Sequence, residues 1–134
     1  VIVDTSVWIE FFRGTGSGAH RALEDRIRTG APIVVPDVVL SEVLVGTTDE
    51  AAAARLEQTL VQFEIAPVAP VADARSAAQI HRACRRQGEM VRNLGDCYVA
   101  AAALRLQLPI LHRDRDFEVM ARIVGVATVS MLDL

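Results

Sequence analysis

At 134 residues with 51% apolar side chains, the chain is long enough to bury a core of its own. Its longest unbroken apolar run, Cys97 to Leu104, falls far short of the roughly 20 residues of a membrane span, and no basic lead into an apolar signal is present, so a soluble, cytoplasmic protein is expected. The net charge of -3 argues against a domain that coats nucleic acid by bulk positive field, and the absence of lysine among 14 basic residues excludes Schiff-base chemistry and a phosphate-binding lysine loop.

Val1 to Asp4 has the length and composition of a strand, with Asp4 at the end where open parallel sheets bind ligands. The same carboxylate could instead cap the following helix, a role that Thr5 or Ser6 would also fill. Helical periodicity covers Ser6 to Arg13 and Gly18 to Thr29, closed by Gly14 and Gly30 where left-handed C-terminal residues belong. Trp8, Phe11 and Phe12 share one face of the first helix, the pattern of core side chains.

Pro32 to Pro36 reads as the second strand, and Asp37 as the N-cap of a helix that runs to Val45 and ends at Gly46. Glu42 is the only charge between Asp37 and Asp49, flanked by Val38-Val39-Leu40 and Val43-Leu44-Val45. A charge buried unpaired on so apolar a helix costs several kcal/mol, so Glu42 is protonated, paired or metal-bound, or else lies with Ser41 on a narrow solvated stripe.

A helix over Asp49 to Phe63, a strand over Ile65 to Val68 and a helix over Val71 to Gln87 follow, with Gly88 after the last. Arg82, Arg85 and Arg86, with Arg92 beyond them, make a basic segment whose simpler reading is a solvated face. In the first turn of the next helix, Leu94 to Gln107, Asp96 is the only acid between Glu89 and Asp114; stabilisation of the helix dipole is its plainer explanation. The strand Pro109 to His112 leads into Asp114 and Asp116, one of which is expected to cap the helix Asp116 to Val124, before Gly125 and a last strand, Val126 to Met131. Cys84 and Cys97, the only cysteines, sit in helical patterns without ligand spacing and read as buried thiols.

Alternating strands and helices predict an α/β fold, a mainly parallel five-stranded sheet flanked by helices on both faces, in a single domain over residues 1–134. Singly, each acid has a plain structural role. Together, Asp4, Glu42, Asp96 and the Asp114/Asp116 pair all fall at strand ends or on adjoining helices, and carboxylates so crowded stay ionised only around a cation. All-oxygen ligands favour Mg²⁺ or Mn²⁺.

In that order, Ile2-Val3-Asp4-Thr5-Ser6-Val7-Trp8-Ile9, Ser41-Glu42-Val43-Leu44-Val45-Gly46, Asp96-Cys97-Tyr98-Val99-Ala100-Ala101-Ala102-Ala103 and Ile110-Leu111-His112-Arg113-Asp114-Arg115-Asp116-Phe117 resemble the motifs of the PIN domain family. Within it they are similar to the VapC-type toxins of bacterial toxin–antitoxin pairs. The resemblance implies Mg²⁺ or Mn²⁺ held by Asp4, Glu42, Asp96 and either Asp114 or Asp116, Asp114 being nearer the strand end. It implies endonucleolytic hydrolysis of RNA by water, leaving a 5′-phosphate and a 3′-hydroxyl. A cognate VapB-type antitoxin, received in a groove near the first helices and Trp8, and a homodimer are implied too. Arg113 and Arg115, beside the acids, are expected to contact the RNA backbone. His112 departs from the pattern, standing where relatives more often carry Thr or Ser. Metal-dependent adhesion sites also begin like Asp4-Thr5-Ser6, but Trp8 takes their third ligand position; phosphoryl receivers and haloacid-type phosphatases rely on a lysine that this chain lacks. The remaining alternative is an inactive PIN-like module that binds RNA or a protein partner, against which the complete acid set counts.

Overall fold

Five short parallel strands, β1 (Ile2–Val3), β2 (Val34–Pro36), β3 (Glu64–Ala66), β4 (Ile110–His112) and β5 (Thr128–Ser130), form one sheet in the order β3-β2-β1-β4-β5. Ile2 lies in register with Val34 on one side and Ile110 on the other. The computed structural model describes residues 1–132; residues 133 and 134, the end of the expected single domain, lie outside the described residues. β1, β2 and β4 are buried at every position, as inner parallel strands covered on both faces should be, whereas the outer β3 and β5 are partly exposed.

Among the described residues seven helices join them: α1 (Thr5–Arg13), α2 (Gly18–Thr29), α3 (Asp37–Leu44), α4 (Glu50–Leu60), α5 (Ala72–Arg86), α6 (Leu94–Leu106) and α7 (Arg115–Val124). Side chains cap most of their starts: Asp4, Ser17, Asp49, Asn93 and Asp114 each accept a hydrogen bond from a backbone N–H of the first turn. Two expectations fail here. Asp37 is the first residue of α3 rather than its cap, and its Oδ2 instead accepts the Val68 N–H at 3.0 Å, tying the start of α3 to the segment after β3. Gly46 is not a left-handed terminator, because α3 ends through Val45 in right-handed conformation. Conversely, α6 ends on Gln107 with φ 56°, a left-handed cap that lacks the usual glycine.

Right-handed crossovers put helices that lead outward from β1 to β3 on one face and those returning through β4 to β5 on the other. Packing follows this division: α1 meets α2 and α3, α3 meets α4, and α5 meets α6 and α7. α3 also packs on α6, joining the two layers. The order reverses between β1 and β4, so their carboxyl ends open the crevice where ligands of such sheets bind.

Trp8 is fully buried, stacked on Phe12 at 5.6 Å between centroids, edge-on to Phe11 and tilted against Phe63. It is core, and the nearby groove is lined instead by its neighbours Ile9 and Phe12 with Arg13, Val43 and Leu56. Trp8→Ala is therefore expected to cost about 3–5 kcal/mol, read as an earlier midpoint in denaturant melts; an unchanged midpoint would contradict the core role. Cys84 and Cys97 are buried free thiols, as expected. Among the described residues no helix is long and apolar enough to cross a membrane.

Candidate metal centre

β1 ends one residue before Asp4, whose N–H donates to Leu111 O at 2.9 Å, so the β1–β4 pairing carries Asp4 onto the carboxyl edge of the sheet. Its Oδ2 accepts from the Ser6 N–H at 3.0 Å and the Ser6 hydroxyl at 2.6 Å. The capping role and the edge position thus coexist, because capping engages one oxygen only. Oδ1 is buried without any partner.

Glu42 comes from α3, half-buried rather than sunk in the apolar flanks of its helix, since Val39 and Val43 take the core side. Its two oxygens are held separately: Thr5 Oγ1 donates to Oε1 at 3.0 Å and Asn93 Nδ2 to Oε2 at 2.9 Å. Asn93 also accepts the Gly95 N–H at 2.9 Å, so one amide both caps α6 and fixes Glu42 beside it. A Cβ at position 95 would meet Asn93 Oδ1 at 3.0 Å and Glu42 Oε2 at 3.3 Å, so a larger residue would press on the pair that glycine lets approach.

Asp96, in the first turn of α6, is 5% exposed. α6 runs toward the start of β4, which leaves its own N-terminus at the opposite, carboxyl edge. One carboxylate oxygen each of Asp4, Glu42 and Asp96 lies within 4.8 Å of the others, and the same is true of Asp96, Asp114 and Asp116. Asp96 belongs to both groups. Asp114 Oδ1 accepts the Asp116 N–H at 2.9 Å to cap α7, and this turn brings both acids within reach of Asp96.

Burial first, and then the charge of Glu42, raise the Asp4 carboxyl to about 6 against the hydrogen bonds from Ser6. Asp96 is pushed further, to about 8, by burial and by the charges of Asp4, Asp114, Glu42 and Asp116. These groups repel one another unless a cation sits among them. The donor set fits a hard divalent ion: every candidate ligand is a carboxylate oxygen, Asp4 Oδ1 has no other partner, and one oxygen of each acid in a group lies within 4.8 Å of the others.

Asp96, Asp114 and Asp116 face a cleft of about 630 Å³ whose rim also carries Glu89, Arg92, Asn93 and Arg115. Arg115 is exposed there, whereas the Arg113 guanidinium is turned aside, paired with Glu10 at 2.9 Å. His112 is fully buried; its Nδ1 accepts the Asp114 N–H at 3.1 Å, so it buttresses the turn that carries Asp114 and its proton stands on Nε2. Burial lowers its pKa, in keeping with a neutral ring.

Sequence reasoning placed the acids but missed Thr5, Ser6 and Asn93 as the residues that hold them. Thr5 and Ser6 were visible only as helix caps. Asn93 reaches a partner 51 residues away, for which no local pattern exists.

A family model described as the PIN domain matches residues 1–123. Among curated proteins, the chain is 40% identical over 134 residues to VapC ribonuclease Mb1587 of Mycobacterium bovis, covering 97% of this chain and 98% of that one. Among solved structures it is similar to VapBC2 from Rickettsia felis bound to a DNA fragment from its promoter, with a TM-score of 0.76 and 15% identity over 96% of each chain. A toxin–antitoxin complex from Klebsiella pneumoniae gives a TM-score of 0.73 and 21% identity, covering 100% of this chain and 99% of that one.

Proposed function

The chain belongs to the PIN domain family and within it to the VapC group, and from that premise we propose that it is a divalent-metal-dependent endoribonuclease, the toxin of a type II toxin–antitoxin pair. The observation that carries the proposal is Asp96, buried and shared between two groups of three carboxylates. An inactive binding module would have no reason to keep acids that raise one another's pKa in this way.

Asp4, Glu42 and Asp96 hold the ion, Mg²⁺ or Mn²⁺, and Asp114 and Asp116 complete or extend its shell. When bound, such an ion polarises a phosphoryl oxygen, lowers the pKa of a water toward neutrality and stabilises charge on the leaving oxygen. The protein's own residues supply the rest. Thr5, Ser6 and Asn93 fix the carboxylates before substrate arrives, so little reorganisation remains for the reaction. Asp96, or the Asp114 oxygen not engaged in capping α7, orients the attacking water or takes its proton. Water attack on phosphorus with cleavage of the P–O3′ bond, the departing 3′-oxygen taking up a proton, leaves a 5′-phosphate and a 3′-hydroxyl.

The substrate is RNA, with exposed Arg115 on the cleft rim placed to meet its backbone. Arg113, already paired with Glu10, serves the backbone only if it exchanges that partner. A VapB-type antitoxin occupies the groove lined by Ile9, Phe12, Arg13, Glu42, Val43 and Leu56, close to the metal ligands, and the working form is a cytoplasmic homodimer.

Incubation with mixed cellular RNA and Mg²⁺ or Mn²⁺ is expected to give discrete fragments with 5′-phosphate ends, and Asp4→Ala, with native circular dichroism, is expected to give none. Intact RNA across all metal and pH conditions would reject the proposal. Mapping the cuts identifies which RNA class is the target.

A further inference from the structure

The C-terminal part of α5 sets Ala78, His81, Arg82 and Arg85 on one face, at i, i+3, i+4 and i+7. With Arg92 and Leu94 these residues line a groove of about 410 Å³. Arg92 also lines the acidic cleft, so groove and cleft share a wall. Arginines in a last helical turn often do no more than stabilise the helix dipole, but Arg92 lies outside α5 and comes to the same groove from the following loop.

The charges here are not spoken for. Among the described residues Arg82, Arg85 and Arg92 are exposed and make no ion pair, and Glu89, the acid nearest in the loop, is taken by Arg122 at 3.1 Å. No carboxylate lines the groove. In a chain whose net charge is -3, this is a local positive track leading from a negative cleft. Leu94, 53% exposed among the arginines, adds the apolar surface that a sugar or base edge covers.

We infer that this groove is a binding track for the sugar–phosphate backbone of single-stranded RNA, holding nucleotides to one side of the bond at the acidic cleft. Arg82 and Arg85 hold phosphates beyond the cleft, and Arg92 holds the phosphate at the junction. Ala78, having no bulk, leaves the floor open. The inference rests on the ribonuclease reading for which RNA it guides, but its binding chemistry is separately measurable.

The test is fluorescence anisotropy with a fluorescein-labelled 20-nucleotide oligouridylate in Mg²⁺, in an Asp96→Asn background that prevents cleavage, over a range of salt. Removing Arg82 and Arg85 together, as R82Q/R85Q, is expected to weaken binding several-fold and to flatten the slope of log affinity against log salt by about 1.4, since each phosphate contact on a single strand contributes roughly 0.7. The control R28Q/R55Q removes two charges from α2 and α4, where neither residue lines groove or cleft. An unchanged slope in R82Q/R85Q, or an equal loss in the control, overturns the track. Cleavage of mixed cellular RNA by the unaltered chain is scored in parallel. Cleavage with an unchanged slope removes the track and leaves the ribonuclease reading standing; a flattened slope without cleavage supports the track and removes that reading.

Discussion

Asp96→Asn is expected to lower RNA cleavage by at least about 10³-fold and, in the same protein, to raise the melting temperature without metal at pH 8. Loss of residues that merely orient ligands costs about 10–100-fold in comparable sites, and Asp96 is shared by both carboxylate groups, so the larger figure follows. The stability gain comes from proton linkage. The folded Asp96 carboxyl titrates at about 8, above the ordinary 3.8, so between those values the native state holds more protons than the unfolded state. Stability from this group is fully present below the unfolded value and is lost as pH rises through the folded one. Asn carries no charge and escapes the loss. Because its amide also donates to the neighbouring acids, a gain of about 1–2 kcal/mol, or roughly 4–8 °C, is expected at pH 8, vanishing near pH 4. Thermal melts of both proteins across that range decide it: a melting temperature that falls on substitution at pH 8 would show that the carboxylate is not under repulsion.

Divalent metal is expected to act in the opposite sense on the unaltered chain. At a concentration one hundred times its dissociation constant, Mn²⁺ or Mg²⁺ is expected to stabilise the fold by about 2.7 kcal/mol, and chelation is expected to abolish both the gain and RNA cleavage. Protons compete for the same oxygens. The gain is therefore expected to shrink as pH falls from 8, first through the Asp96 titration and then through that of Asp4 at about 6. Asp96→Asn should lose most of it. No metal-dependent shift at any pH would remove the ion from the site.

Much of this was legible in the sequence because the acids stand next to strong local punctuation. Each strand end is marked by a Pro, a capping residue or an apolar run that stops, so Asp4 and Asp114 could be placed at the sheet's edge by counting. Glu42 was singled out for apolar flanks, yet the structure shows it half-buried and held by Thr5 and Asn93. The expected burial of Glu42 did not hold, since apolar residues on a helix need not surround the polar one between them. Asp37 looked like a cap because the local pattern could not reveal the Val68 N–H that captures its side chain from 31 residues away. Asp114 and Asp116 looked like rivals because the family resemblance implied a single acid after the fourth strand; the first turn of α7 folds both toward Asp96.

The strand order carries a consequence in time. Among the described strands β1 is made first, but its neighbour β4 is the fourth, and the sheet's centre cannot close until Ile110–His112 has emerged. The last acids, Asp114 and Asp116, arrive immediately after it. A nascent or truncated chain lacking these residues therefore carries Asp4, Glu42 and Asp96 without the strand that aligns the first of them. The carboxylate group that Asp114 and Asp116 share with Asp96 can therefore assemble only after β4 and the turn behind it have been made.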